Sequence, residues 1–224
     1  MPHLTDAAFF AHWRHPHGTL TRRIPQFRRY VQNHGVAPSP AVPGLAAGPW
    51  LGMPAIWLDG PGDLAKARSH PAYALLDADA DAFYDRTALD WLVGRETIYI
   101  PHAGGANSAP VKVMLLLRRS RAPLTPRRVR VLADSMASLL PGLTGISITL
   151  PVDTKAAAPC DAVMELSFPD LAAYSAAWGN GARICPVIAD VADLAASKGL
   201  LVREERVIWP DGEREGISHE CTST

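Results

Sequence analysis

The sequence predicts an α+β fold made of two tandem β-α-β-β-α-β repeats whose sheets pack face to face. The first observation is a repeated segment: Leu92–Pro101 and Leu201–Pro210 both begin Leu-Val, continue through charged residues and end in an apolar stretch before proline. Their starts lie about 110 residues apart, the size of one small domain. The second is the order of strand and helix patterns in the second half. The third is a requirement of burial: a sheet covered by helices on one face leaves its other apolar face exposed to water unless something covers it. Two sheets in one chain can bury these faces against each other and enclose a cavity between them.

Composition limits the classes of partner. The chain has 224 residues, 48% hydrophobic and 20% charged, which is typical of a globular protein. Its formal net charge is zero and its pI about 7.1, so we expect neither nucleic acid nor an anionic membrane as a partner. Cys160, Cys185 and Cys221 lie too far apart for a metal motif, which favours reduced thiols and a cytoplasmic location. We find neither a secretory leader nor an apolar run of membrane-spanning length.

The second half contains every element of one repeat. Thr125 and Pro126 predict the cap and first position of one helix, and Asp170 predicts the cap of another. Four runs of apolar and β-branched residues predict strands: Val111–Leu117, Gly145–Leu150, Val163–Phe168 and Leu201–Trp209. The resulting order, β-α-β-β-α-β, is that of the ferredoxin-like fold.

The first half repeats this order with one omission. Thr5 predicts a helix cap, and a second helical stretch runs from Asp63 to about Asp85. Strands are predicted at Phe27–His34, Ala55–Asp59 and Val93–Ile100. Only four residues precede Thr5, so we expect either a lost edge strand or a start placed too late.

These elements predict four segments. Residues 1–101 form the first repeat, 102–110 a linker, 111–210 a second, degenerate repeat and 211–224 a polar tail. The long Pro- and Gly-rich segment Gly35–Met53 would be a lid over the cavity or, alternatively, an ordered cover on the seam between the sheets.

His17 is the leading candidate for acid–base chemistry. It lies four residues after Trp13, so on a helix the two side chains share one face. An imidazole with a pKa of about 6.5 can accept and donate a proton at neutral pH. Pro16 removes a backbone hydrogen bond to His12, which predicts that the helix bends or ends at His17. The alternative is that His17 only holds the helix end to a neighbouring loop.

Polar residues alternate along the strand Phe27–His34, so that Tyr30, Gln32 and His34 share one face. On the cavity side, Tyr30 and Gln32 would orient a carbonyl or phenol, and His34 would be an alternative base. Otherwise they serve cross-strand pairing.

Three aromatic residues are candidates for substrate binding. Trp50 lies in the long loop, and Trp57 and Tyr99 lie on predicted strands. These rings would stack on a flat apolar ligand, although aromatic residues in strands commonly serve packing alone.

The sequence does not predict a dedicated metal site. His12, His15 and His17 cannot share one helical face, and the Asp77, Asp79, Asp81 series lacks the glycine and final glutamate of a calcium loop.

The first half resembles the EthD family of the dimeric α/β-barrel superfamily over about residues 5–101. The residues that carry the resemblance are Phe10, Trp13, Arg14, His17, Gly18, Leu20, Ile24, Pro25, the run Arg29–Asn33, the strand Ala55–Leu58, and the acidic stretch with Asp79, Asp81, Phe83 and Asp85. Members are usually homodimers of single domains, so the tandem chain implies an internal pseudo-dimer. The superfamily includes cofactor-free polyketide cyclases, dehydratases, lactone isomerases and monooxygenases, while other members bind haem. This chain departs from the pattern in its missing leading strand, in Pro16, and in a second repeat without the histidine.

The residues and the resemblance together predict a cofactor-independent lyase, isomerase or cyclase acting on a small apolar, aromatic or polyketide-like molecule. In this hypothesis His17 moves the proton, Tyr30 and His34 assist, and the substrate contacts are Trp13, Gln32, Trp50, Trp57 and Tyr99. The alternatives are a non-catalytic binder of haem or an apolar metabolite, a cofactor-free monooxygenase, and a purely structural component. A homodimer of two tandem chains is a further alternative.

Overall fold

The computed structural model describes residues 4–36, 44–104, 108–152, 158–179 and 183–210. The lid prediction and the linker therefore lie partly outside the described residues, and the polar tail lies wholly outside them. The elements of the first repeat are helix α1 (Asp6–His12), an irregular turn (Trp13–His17), helix α2 (Gly18–Thr21), strands β1 (Arg29–Gly35), β2 (Ala46–Ala47) and β3 (Gly52–Trp57), helices α3 (Pro61–Ser69) and α4 (Pro71–Phe83), a 3-10 turn (Arg86–Ala88) and strand β4 (Gly94–Ile100). Those of the second repeat are β5 (Val111–Leu117), α5 (Pro126–Leu139), β6 (Gly145–Pro151), β7 (Ala162–Phe168), α6 (Leu171–Trp178), α7 (Ile184–Ala189) and β8 (Lys198–Ile208).

The second repeat has the predicted β-α-β-β-α-β order. Its strands pair antiparallel in the order β8-β5-β7-β6. Thr125 caps α5 by accepting a hydrogen bond from the backbone of Arg128, with Pro126 at the first helical position. On one face of the sheet, Leu115 packs in a continuous apolar core with Leu132 and Met136 of α5. The helices thus cover one face and leave the other to the barrel interior.

The two repeats are joined along strand edges. β1 pairs with β8, and β4 pairs with β6, which gives one curled sheet of order β3-β1-β8-β5-β7-β6-β4, with β2 beside β8. The prediction of two ferredoxin-like repeats closing as an α/β barrel within one chain is confirmed.

The described part of the sheet has a gap between its two end strands. β3 and β4 are the two ends of the sheet, and among the described residues no strand lies between them. The corresponding position of the second repeat holds β5, which pairs with both neighbours. Across the gap, the Trp57 indole donates a 2.6 Å hydrogen bond to the carboxylate of Glu96.

Several element boundaries differ from prediction, among them those of β3, which spans Gly52–Trp57 rather than Ala55–Asp59, and β8, which spans Lys198–Ile208 rather than Leu201–Trp209. The first strand spans Arg29–Gly35, rather than beginning at Phe27. The single helical stretch from Asp63 is two helices, because His70 is extended before Pro71 and caps α4 through its own side chain. None of the described helices has the length and hydrophobicity needed to cross a bilayer.

Candidate functional site

The first helix is interrupted where the sequence predicted. Thr5 caps α1 by accepting a hydrogen bond from the amide of Ala8. The chain then leaves helical geometry at His15, with φ −145° and ψ 122°, just before Pro16. His17 follows this turn and is buried against the first repeat. The interruption turns the His17 imidazole towards α4.

One carboxylate holds two histidines at this turn. The imidazole of His17 hydrogen-bonds Asp79 between Nδ1 and Oδ2 at 2.9 Å, and His12 hydrogen-bonds the same residue between Nε2 and Oδ1 at 2.9 Å. The exposed fractions of the side chains are 9% for His17 and 12% for Asp79, against 29% for His12. We call these three residues the His–Asp cluster.

The environment favours the neutral form of His17. Burial lowers its pKa, and the hydrogen bond and charge of Asp79 only partly oppose this effect. In the neutral imidazole, the acceptor Asp79 requires the proton to lie on Nδ1, which leaves the lone pair on Nε2. No described residue hydrogen-bonds that Nε2. His17 therefore has the tautomer and the free nitrogen of a general base.

Aromatic rings surround the cluster. Phe83 lies edge-on to His17, with ring centroids 4.9 Å apart, and stacks on His12 at 4.6 Å. Tyr84 stands 6.2 Å from His17. Asp79 itself lies on the buried stripe of α4 between Leu76 and Phe83. The cluster thus has low-polarity walls.

Four other predicted residues form a buried polar layer between β1 and the first helix. The indole of Trp13 donates to the Tyr30 hydroxyl at 2.9 Å, and the Gln32 amide donates to the carbonyl of Trp13 at 2.6 Å. His34 Nε2 lies 3.0 Å from Gln32 Oε1, and its ring stacks on the neighbouring rings of Phe10 and Trp13 at 4.6 and 4.8 Å. Tyr30, Gln32 and His34 therefore face the helices and not the barrel interior.

The layer is held neutral by burial. Burial raises the pKa of Tyr30 to about 12 and lowers the pKa of His34 to about 4. Thr21 links the layer to the cluster, since its hydroxyl donates to the backbone carbonyl of His17 at 2.9 Å. Trp13, Tyr30, Gln32 and His34 thus support the turn that presents His17.

The remaining predicted residues lie elsewhere. Trp57 is in the barrel interior, with the Arg29 guanidinium 4.6 Å from its ring centroid. Trp50 is half-buried against an interior apolar cluster. Tyr99 lies on the outer face of β4 beside Arg130, whose guanidinium is 5.4 Å from its ring. The structure does not bring these three rings to His17.

Sequence reasoning missed a network of charges inside the barrel. The Lys112 ammonium is 2.7 Å from the carboxylate of Glu165 and also pairs with Glu204, which in turn pairs with Arg206. Nearby, Glu96 has a pKa raised by burial and by the charge of Glu165. A charged residue within an otherwise apolar strand, as at Lys112 and Glu165, is the signal that could have revealed this network.

The described residues contain no group of three or more His, Cys, Asp or Glu side chains that could hold a metal ion.

Comparison with one solved structure supports the fold. A candidate monooxygenase from Lactobacillus acidophilus NCFM superimposes with a TM-score of 0.54 and 8% sequence identity, covering 90% of each chain. An anthrone oxidase-like protein gives a TM-score of 0.48 and 11% identity over 85% of this chain and 87% of its own. No curated protein sequence shows significant similarity to this chain.

The family comparison concerns the repeat that carries the His–Asp cluster. Residues 1–87 match the family model of the EthD domain, and this range contains His12, His17 and Asp79. The likeness to the EthD domain therefore covers residues 1–87, within a single polypeptide whose two repeats build one curled α/β-barrel sheet.

Proposed function

We propose that the protein is a cofactor-independent acid–base enzyme of the lyase, isomerase or cyclase type, acting on a small, flat, apolar carbonyl compound or phenol. The observation that carries the proposal is the 2.9 Å hydrogen bond between His17 Nδ1 and the Asp79 carboxylate. A carboxylate that fixes the imidazole tautomer and leaves Nε2 free is the arrangement that a general base requires.

The proposed step is proton abstraction next to a carbonyl group. Nε2 of His17 removes the proton, and the electron pair of the broken C–H bond is delocalised onto the carbonyl oxygen as an enolate. Asp79 stabilises the imidazolium that forms on His17. Return of the proton from His17 to another atom completes an isomerisation, and loss of a leaving group completes an elimination. Tyr84, which is half-buried beside His17, supplies apolar surface for a flat substrate, while Phe83 packs against the imidazole from the core.

Asymmetry between the repeats supports a single site. The corresponding helix of the second repeat, α5, contains no histidine and buries Val129, Leu132, Ala133 and Met136 in the core instead. The chemistry is therefore assigned to the first repeat.

The test uses anthrone, a flat tricyclic ketone with acidic C–H bonds, incubated in D₂O while deuterium uptake is followed by NMR. We expect His17→Gln to slow enzyme-dependent exchange by about 10²–10⁴-fold, the usual contribution of general acid–base catalysis. His15→Gln is the matched control, because His15 is an exposed neighbour whose imidazole bonds Thr19 instead. Exchange that is equally fast in His17→Gln would exclude His17 as the base.

A second candidate function, cofactor-free oxygenation, begins with the same abstraction, and the fold is shared with the candidate monooxygenase. Anthrone and O₂ would then give anthraquinone and water in equal amounts. An oxygen electrode run beside the exchange assay separates the two functions: exchange without oxygen uptake supports the isomerase class, and stoichiometric uptake supports oxygenation. Tight binding of anthrone without either reaction would instead indicate a non-catalytic binder.

The pH profile of activity provides an independent prediction. A general base works only when deprotonated, so the rate falls as the pH drops through the pKa of His17, which burial places below its ordinary value of 6.5. Activity should therefore persist below pH 6.5, with the acid limb of kcat/KM at lower pH. Because Asp79 raises this pKa, Asp79→Asn should move the limb to still lower pH while reducing the maximum rate. An acid limb of the kcat/KM profile that stays at the same pH in Asp79→Asn would contradict the pairing of His17 with Asp79.

A further inference from the structure

A cleft on the outer surface of the barrel lies at the seam where β4 of the first repeat meets β6 of the second. Its volume is about 230 Å³, and its apolar floor is formed by Ile148 and Leu150 of β6 with Val129 of α5. Thr97 and Tyr99 of β4 form one wall. The cleft lies outside the EthD match and contains no residue of the His–Asp cluster.

The other seam shows why this one is open. There, β8 meets β1 beneath the turn at His15, and the corresponding space is only about 40 Å³. Arg14 fills it by pairing with Glu205 at 3.0 Å, and the guanidinium of Arg22 donates to the carbonyl of Val207 at 2.8 Å. The lining of the cleft at β4 is mostly apolar and contains no ion pair among the described residues. The duplicated chain has thus closed one seam with its own ion pair and left the other with room for a ligand.

Charge indicates the kind of ligand. Arg95 is exposed at the cleft, and no described carboxylate forms an ion pair with it. The lining contains no acidic residue. The nearby Arg130 packs over Tyr99 but pairs with Asp134 at 3.2 Å, so Arg95 is the cation that the cleft offers to a ligand. A guanidinium beside an apolar floor is complementary to a carboxylate attached to a hydrophobic group.

We propose that this cleft binds a compact organic monocarboxylate, with the carboxylate on Arg95 and the apolar group on Val129, Ile148 and Leu150. The volume is below the roughly 300–1,000 Å³ of sites for drug-sized ligands, so the ligand is limited to one or two rings or a short chain. The hydroxyl groups of Thr97 and Tyr99 offer additional hydrogen bonds to the carboxylate. This site is independent of the proposed catalytic function.

The test is a titration of the intact protein with 2-naphthoate, followed by calorimetry and by the fluorescence of the probe. We expect saturable one-to-one binding that Arg95→Ala weakens at least 10-fold. Arg127→Ala is the matched control, because it removes a neighbouring positive charge from α5 that does not line the cleft, and it should leave the affinity within 2-fold. Thr97→Trp, which fills the cleft from an exposed strand position, should abolish binding.

Two further comparisons make the outcome decisive. The neutral analogue 2-naphthamide should bind at least 10-fold more weakly than 2-naphthoate, and His17→Gln should bind 2-naphthoate as the unaltered protein does. Absence of saturable binding, equal affinity in Arg95→Ala, or equal losses in Arg95→Ala and Arg127→Ala would overturn the proposal. Loss of binding in His17→Gln would also overturn it, by moving the ligand to the His–Asp cluster.

Discussion

Lys112→Met is expected to destabilise the fold by about 3–5 kcal/mol, because it leaves two buried carboxylates without their shared cation. The side chain of Lys112 is only 4% exposed and lies between Glu165 and Glu204. Burial alone would disfavour its charge, but the two carboxylates outweigh this effect and raise its pKa. Urea denaturation at neutral pH measures the change in the free energy of unfolding.

Lys66→Met is the control for this experiment. Lys66 also pairs with a carboxylate, at 2.7 Å from Asp63, but its side chain is 69% exposed. Exposed pairs of this kind contribute about 0–1 kcal/mol, so the control should lose little stability. A decrease of less than about 1 kcal/mol in the unfolding free energy of Lys112→Met would show that water or a local rearrangement compensates the charges of the interior carboxylates. The comparison separates the effect of burial from the effect of removing a lysine.

Lowering the pH should begin to destabilise the protein at pH values well above the range in which carboxylates titrate. Burial lowers the pKa of both His34 and His102 to about 4, whereas a histidine in the unfolded chain has a pKa of about 6.5. Between these values the unfolded state binds more protons than the folded state, so the free energy of unfolding falls as the pH decreases from about 6.5 to about 4. Each residue accounts for up to about 3 kcal/mol over this range.

Single and double substitutions check this assignment. His34→Gln and His102→Gln should each reduce the slope of unfolding free energy against pH, whatever their effect on stability at pH 7.5. His17 contributes in the same direction, because burial lowers its pKa too. The double variant should therefore retain a smaller, residual slope. A slope between pH 4 and 6.5 that does not change in the double variant would refute the assignment.

Part of the candidate site could be read from the sequence, because its signals are local. Pro16 predicted the interruption, and the position of His17 followed from that interruption and from the EthD resemblance. The partner of His17 could not be read in the same way, because Asp79 lies 62 residues away and only the packing of α4 brings it there. The EthD resemblance includes Asp79 in its acidic stretch, but the sequence did not indicate that this carboxylate pairs with His17.

The alternation of β1 illustrates a second limit. Period two assigned Tyr30, Gln32 and His34 to one face of the strand, but it did not say whether that face met the helices or the interior. The neighbours decide this, since Trp13 hydrogen-bonds Tyr30 from the helix side. For the same reason, Trp57 and Tyr99 ended on opposite sides of the sheet and apart from His17.

The sequence by itself determined the duplication, the strand and helix order and the chemistry available to the first repeat, because repeats, caps, proline and alternation are encoded within a few neighbouring residues. Only the tertiary structure decided which strand edges meet, where the gap between β3 and β4 falls, and which distant charges share the interior. Those features depend on contacts between residues far apart in the chain. Local patterns restrict such contacts but do not specify them.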